Sequence, residues 1–237
     1  MSMTDFPCPL NRKMIIAGNT LRHNPFHLKE TKLCNSRKET TMKILVIHGS
    51  PDNDGNSSKL TKSAIEGAQS EGAEIEEINL YDFTVTDVWK NYFGDALQNN
   101  FEQAGGDDMP ALKDKMLAAD VILLSSPIYW YQLSGRMKTF VDRWTDTINP
   151  DFSSDLGGKG LALISTHSGL NIMNSSNYAQ LAMEATARFL GMNWLGGVDA
   201  PIRMPISSGP IEGHYEIAKD FGIKIARGEN LIGQKIL

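Results

Sequence analysis

The sequence predicts an α/β domain built on a mostly parallel, doubly wound sheet, and three observations carry that prediction. Apolar runs of strand length, KILVIHG (43–49), DVILLSSP (120–127) and GLALIST (160–166), lack the in–out alternation of half-solvated strands. Parallel strands covered on both faces look like this. Between the runs, the apolar period changes from that of strands to that of helices. The loops leaving these strands, 50–57, 127–135 and 166–174, concentrate glycine, hydroxyl and aromatic residues. In open α/β sheets ligands bind beyond the carboxyl ends of the strands.

The elements follow in order. After the first strand, Leu60, Ala64, Ile65 and Ala68 share one face of a helix that begins near Ser57 and ends near Gly72. AEIEEINL (73–80) alternates and forms a strand with one more exposed side. Met109, Leu112, Met116 and Leu117 point to a helix over 108–118, which leads into the strand at 120–127. The clearest helix carries Met137, Phe140, Val141 and Trp144 at i, i+3, i+4 and i+7. Beyond the strand at 160–166, a helix near 175–190 is expected to carry Tyr178, Leu181, Ala185 and Phe189 on one side. MNWLGGVDA (192–200) is the fifth strand, and a last helix over 211–226 buries Ala218, Phe221 and Ile225. Strands alternating with helices imply right-handed crossovers.

The 237 residues suffice for one well-buried core, with 41% apolar and 22% charged residues typical of a soluble globule. No apolar run approaches the 18 or so residues of a membrane span, and the amino-terminal stretch lacks a secretory apolar region. A cytoplasmic protein is the default reading. Residues 1–41 hold seven Lys/Arg against three Asp/Glu, together with Pro7, Pro9 and Pro25. They are expected to form a weakly ordered basic extension to a domain over 42–237. That domain has 16 basic and 25 acidic residues, a net charge of −9, which disfavours general nucleic-acid binding. Both cysteines, Cys8 and Cys34, lie in the extension, so the main domain has no thiol nucleophile, disulfide or thiolate metal site. Five histidines without a His-x-His or HExxH pattern argue against zinc, and no metal site is expected.

The first loop, HGSPDNDGNSSKL (48–60), runs from a strand into a helix amino terminus. Unpaired N–H groups and aligned peptide dipoles there favour an anion. Ser50, Asn56, Ser57 and Ser58 add uncharged donors, Gly55 permits a tight course, and no Lys or Arg lies between His48 and Ser58. Such a cradle suits a phosphate held permanently rather than transferred. Asn56 stands where a Walker A lysine would follow, and no G-x-G-x-x-G is present. The alternative is an ordinary turn capping a helix. In the second loop Pro127 precedes Ile128, Tyr129, Trp130 and Tyr131, an aromatic run that cannot all point inward. It forms either a shelf for a flat ring or a contact between subunits. The third loop, LISTHSGLN, offers Thr166, His167, Ser168 and Gly169. Without a G-x-S-x-G elbow, a serine hydrolase is disfavoured. His167 is either a donor lining the pocket or a surface residue.

Together, ILVIHGSPDNDGNSSKL, ILLSSPIYWYQLSGRMKTFVDRW and ALISTHSG resemble the flavodoxin-like NAD(P)H-dependent FMN reductases over about residues 42–200. The resemblance implies a three-layer sandwich with a five-stranded parallel sheet of order 2-1-3-4-5. It implies that Ser50, Asn56, Ser57 and Ser58 hold the FMN phosphate, and that Pro127, Ile128, Tyr129 and Trp130 lie along the isoalloxazine. Thr166, His167, Ser168 and Gly169 would approach the ring from the third loop. It also implies a homodimer and NADH or NADPH as co-substrate. The family's iron–sulfur branch carries a cysteine cluster where this chain reads NNFEQAGGDDMPAL, so no iron–sulfur cluster is expected. Tyr131 replaces a glycine common in relatives, and the stretch Asp87–Gly106, with Trp89, Tyr92 and Phe93, suggests a lid or a dimer contact.

The expected reaction passes hydride from the nicotinamide through flavin N5 to a small-molecule acceptor such as a quinone, nitroaromatic or free flavin. His167 is a candidate donor near the flavin N1/O2 edge, and Trp130 a candidate wall of the acceptor pocket. Arg136 or Arg143 would suit a 2′-phosphate, though both also fit a solvent-facing helix. The rival readings are a flavodoxin-type electron carrier, which the acidic domain suits, and a flavin-free binding or scaffold protein on the same fold.

Overall fold

The computed structural model describes residues 41–88, 107–168, 177–202, 209–210 and 212–229. The expectations for residues 1–40, for 89–106 and for Gly169 lie outside the described residues. In chain order the elements are β1 (Lys43–His48), α1 (Asn56–Ser70), β2 (Glu74–Asn79), α2 (Met109–Ala118), β3 (Val121–Tyr129) and β4 (Gln132–Leu133). They continue with α3 (Gly135–Asp142), β5 (Gly160–His167), α4 (Asn177–Phe189), β6 (Asn193–Pro201) and α5 (His214–Ala226). Short 3₁₀ turns follow β2 at Leu80–Asp82 and α3 at Arg143–Thr147.

Five strands lie parallel in the order β2-β1-β3-β5-β6, which is the expected 2-1-3-4-5 once the short β4 is set aside. β4 is an addition, pairing antiparallel with Ile128 and Tyr129. Two residues are too few to show a period, so nothing in the sequence marks it as a strand. The switch in strand order falls at β1 and β3, and the first and second loops leave their carboxyl ends.

Each face of the sheet carries its own core. Leu45, Ile47, Ile122, Leu124, Leu161 and Leu163 meet α2, α3 and α4 through residues such as Met116, Phe140 and Met183. Ile44, Val46, Leu123, Ala162 and Ile164 meet α1 and α5 through Leu60, Ala64, Phe221 and Ile225. Burying a side chain of this size stabilises the fold by about 1.5–3 kcal/mol. α1 and α5 cross at Gly67 and Gly222, where an added Cβ would stand 2.0 Å from Lys219 O and 1.9 Å from Ala64 O.

The four residues expected on one side of α4 do share a side, and it faces outward. Tyr178, Leu181 and Phe189 are 51%, 62% and 65% exposed and Ala185 is exposed, while Ala179, Met183 and Ala187 pack inward. The helix carries two apolar stripes side by side, so its periodicity leaves the orientation undecided. The small stripe, with alanines at 179 and 187, lets the helix lie close to β5 and β6.

Arg143 also departs from its expected surface position, being 1% exposed. Its Nη1 donates to Asp107 Oδ2 at 2.7 Å and to Thr86 O at 3.1 Å, and its Nη2 donates to Asp146 Oδ2 at 2.7 Å. Asp108 Oδ2 accepts from Thr84 N at 2.6 Å, so Arg143 and two aspartates clasp the segments around 84–86 and 107–108. One cation between two carboxylates leaves a buried excess of negative charge, and the carboxylates share it unequally. Burial pushes Asp107 up, but hydrogen bonds from Thr86, Arg143 and the Met109 N–H outweigh it and hold the carboxyl at about 2. Asp146 has fewer donors, its Oδ1 is buried without a partner among the described residues, and burial pushes it up to about 7.

The sign follows from linkage. Between an unfolded value of about 4 and the folded value, native Asp146 keeps a proton that the unfolded chain releases. Raising the pH through that window therefore removes stability, by at most about 4 kcal/mol at about 1.4 kcal/mol per pH unit. Asp146→Asn is expected to abolish that loss, so its unfolding free energy relative to wild type rises from pH 5 to pH 8. Urea melts at the two pH values measure it.

Candidate functional site

The first loop is held from below by residues that do not belong to it. Gly49 N donates to Ser125 O at 2.8 Å and Ser134 Oγ donates to Gly49 O at 2.6 Å, tying the loop to β3 and to the start of α3. Gly49 has no room for a side chain, since its Cβ would lie 2.8 Å from Met137 Cβ. Asn79, at the end of β2, donates to Ser50 O at 2.9 Å and to Asn53 Oδ1 at 2.6 Å. Within the loop, Ser58 Oγ donates to Asp52 O at 2.9 Å and Asp52 N to Ser50 Oγ at 3.3 Å. The loop thus keeps its course through its own bonds.

What this loop presents is the start of α1. Gly55 stands at the N-cap in extended conformation and has no side chain with which to cap the helix. The helix therefore has no cap from its own N-cap side chain, the usual role of Ser, Thr, Asp or Asn there. Ser50, Ser57 and Ser58 are buried around this helix start, at 8%, 3% and 2% exposure. The Ser57 hydroxyl makes no hydrogen bond among the described residues, although its carbonyl accepts from Thr61 Oγ1 at 2.9 Å. Lys62, the next cation along α1 that forms an ion pair, reaches Asp54 at 3.2 Å in an exposed pair. This donor set, uncharged and at a helix amino terminus, fits a phosphate monoester.

The second loop is a tight hairpin. Trp130 and Tyr131 are its two central residues, with φ of 51° and 67°, between Ile128–Tyr129 and Leu133–Gln132. Two consecutive positive φ values are the mark of a type I′ turn, which ordinarily selects Asn-Gly. Here two aromatics occupy it, at a cost of about 1–2 kcal/mol each. The result lifts all three rings outward, with Tyr129 60%, Trp130 92% and Tyr131 45% exposed. Tyr131 packs edge-on against Tyr178 of α4, ring centres 5.8 Å apart. Ser134 closes the hairpin, its N–H donating to Ser126 Oγ at 3.0 Å and its Oγ accepting from Met137 N at 3.3 Å. Because β-branched residues tolerate positive φ least, Tyr131→Val is expected to cost about 1 kcal/mol more stability than Tyr131→Gly. Parallel denaturant melts check this ordering.

The third loop leaves β5, whose Thr166 lies in register with Pro127 of β3. Thr166 and His167 are buried and Ser168 is exposed. His167 Nε2 lies 3.2 Å from Asp199 Oδ2, and Ser165 Oγ donates to Asp199 Oδ1 at 3.3 Å. β1, β3 and β5 are neighbours in the sheet, so the three loops emerge side by side along one edge. Neither arginine considered for a 2′-phosphate is available. Arg143 is buried in its carboxylate clasp, and Arg136 donates to Leu80 O and Phe83 O with its guanidinium 5.7 Å from the Tyr81 ring centre. A cavity of about 320 Å³ lies beside the first loop, lined by His48, Asn53, Ser58, Lys62, Glu77 and Asn79. Another, of about 640 Å³, opens at the amino ends of the strands near Met42, Asp120 and Asn193, away from all three loops.

Asn79, Ser125, Ser134 and Asp199 were not singled out in the sequence. Ser134, directly before a helical pattern, carried a capping signal; the others became visible only through strand pairing.

A parallel sheet of this strand order between two helical layers, with serine-rich and aromatic loops at adjacent strand ends, defines a flavodoxin-like α/β domain. The NADPH-dependent FMN reductase family pattern matches residues 42–198, and the chain belongs to that family. YwqN of Bacillus subtilis, which carries the name NAD(P)H-dependent FMN-containing oxidoreductase, is 27% identical over 161 residues, covering 66% of this chain and 83% of that protein. An iron–sulfur flavoprotein of Archaeoglobus fulgidus is 33% identical over 105 residues, 43% of this chain and 45% of the relative. Among solved structures, an FMN-dependent NADH-azoreductase from Bacillus anthracis superposes with a TM-score of 0.60 at 19% identity, over 78% of this chain and 99% of that one. That likeness is one of fold.

Proposed function

We propose that residues 42–237 bind FMN at the three-loop edge and use it to oxidise NAD(P)H at the expense of a small-molecule acceptor, a quinone or an azo or nitroaromatic compound. The observation that carries this reading is the start of α1 behind Gly55, with the buried hydroxyls of Ser50, Ser57 and Ser58, set beside the outward aromatic hairpin in a chain of this family. When bound, FMN supplies the two-electron chemistry between nicotinamide and acceptor. Ser50, Asn56, Ser57 and Ser58 hold its phosphate, Ser58 mainly through its N–H because its hydroxyl serves Asp52. Pro127, Ile128 and Tyr129 support the ring, and Trp130 walls the space in which the two substrates alternate. Thr166, His167 and Ser168 approach from the third strand end, with His167 Nε2 turned toward Asp199. Cys8 and Cys34 precede the matched region, so the reading includes no iron–sulfur cluster. The proposed setting is the cytoplasm, where reduced nicotinamides are supplied; no described helix is long and apolar enough to cross a membrane.

Anaerobic addition of NADPH or NADH to purified flavin-loaded protein tests the proposal. Bleaching of the flavin band, restored by a soluble quinone, is expected. A flavin that stays oxidised favours the electron-carrier reading, and a protein that remains colourless after incubation with FMN favours the scaffold.

The exposed stripe on α4 supports a homodimer as part of this proposal. Leu181 and Phe189 flank the small Ala185, an arrangement in which two copies of the helix pack closely about a two-fold axis. Leu181→Asp is expected to convert a dimer to a monomer in analytical ultracentrifugation while leaving the melting curve of the monomer cooperative.

A further inference from the structure

We propose that Asp199 is a positioning residue of this enzyme: it fixes the tautomer and the direction of the His167 ring at the flavin edge. The inference rests on the flavin reading above but comes from the pairing of two strands. Ser165 and Asp199 lie opposite each other in the β5–β6 register, and His167 stands two residues beyond Ser165. Strand alternation places all three side chains on one face of the sheet, at its ligand-binding edge.

Both oxygens of Asp199 are engaged on that face. Oδ1 accepts from Ser165 Oγ at 3.3 Å, which holds the carboxylate in place, and Oδ2 stands 3.2 Å from His167 Nε2. A carboxylate only accepts, so this contact favours the hydrogen on Nε2. His167 is 8% exposed, which leaves its ring little freedom to find another arrangement, while the Asp199 side chain keeps 23% of its surface. The Asp199–His167 pair is thus a buried ring aligned by a carboxylate on the neighbouring strand, with Ser165 aligning the carboxylate in turn and Nδ1 left as the neutral ring's acceptor. Outer partners of this kind orient a histidine, and their loss typically lowers activity 10–100-fold without removing the histidine.

The test uses the full chain labelled with ¹⁵N-histidine. Long-range ¹H–¹⁵N spectra, with His167 assigned by its absence in His167→Gln, are expected to show the Nε2–H form in wild type. Asp199→Ala should mix the two tautomers, and Asp199→Asn, closer in shape, should give a smaller change in the same direction. In the flavin-loaded enzyme Asp199→Ala is expected to lower kcat about 10-fold or more with FMN affinity and nicotinamide KM within about 3-fold. Asp199→Ala combined with His167→Gln should be no slower than His167→Gln alone, because the carboxylate acts through the ring. An unchanged tautomer in Asp199→Ala, or fully multiplicative losses in the double variant, would overturn the proposal. Failure of wild type to bind FMN, with the Nε2–H signature intact, would instead locate the error in the flavin reading.

Discussion

Ser57→Asp is expected to leave the domain folded and to weaken FMN binding by about 100- to 10,000-fold. Ser57 is the second residue of α1, behind an N-cap glycine that has no side chain to cap with. A carboxylate there meets the positive end of the helix dipole, which stabilises a helix by about 0.3–1 kcal/mol. The same carboxylate takes the donors assigned to the phosphate and adds negative charge where a second anion must sit. Losing two charge-assisted hydrogen bonds at about 1.5–3 kcal/mol each yields that range of affinity. Flavin fluorescence quenching gives the affinity, and a thermal melt shows whether the fold survives. Wild-type affinity in a folded Ser57→Asp protein would remove the cradle from this account.

Arg143→Met is expected to destabilise the domain by about 3–5 kcal/mol, among the largest single-residue effects in the molecule. Methionine fills much of the space, but it leaves Asp107 and Asp146 buried without their shared cation and Thr86 O without its donor. For a domain of this size such a loss lowers Tm by roughly 6–20 °C. The penalty comes from stranded charge rather than lost packing, so Asp107→Asn and Asp146→Asn added to Arg143→Met should recover more than half of it. Urea unfolding of the single and triple variants separates the two causes. A triple variant no more stable than Arg143→Met would assign the loss to packing.

Much of the fold was legible in the sequence because it depends on the placement of apolar residues. The apolar runs at 43–49, 120–127 and 160–166 marked the strands found at 43–48, 121–129 and 160–167, and α1 and α3 buried the faces their periods indicated. Where two apolar stripes competed, periodicity grouped the residues but did not give the direction: α4 put alanines inward and Tyr178, Leu181 and Phe189 outward. Arg143 shows a second kind of failure. Its spacing on the helix says nothing about Asp107, 36 residues away, whose carboxylate draws it into the interior.

The site divides along the same line. Ser50, Ser57, Tyr129, Trp130 and His167 were named from loop chemistry, and the described residues bring them to neighbouring strand ends. Their supporting residues, Asn79, Ser125 and Asp199, reach them only through lateral pairing of strands distant in sequence. The strained conformation of Trp130 and Tyr131 was equally hidden, since aromatic residues ordinarily avoid positive φ.

Comparing FMN with riboflavin tests the phosphate cradle most directly, because the two ligands differ only in that group. Calorimetric titration of the flavin-free protein should show one FMN bound per chain and riboflavin bound at least about 100-fold more weakly, as expected for two or more lost charge-assisted hydrogen bonds. Equal affinity for the two ligands would contradict the assignment of the α1 amino terminus as the phosphate site.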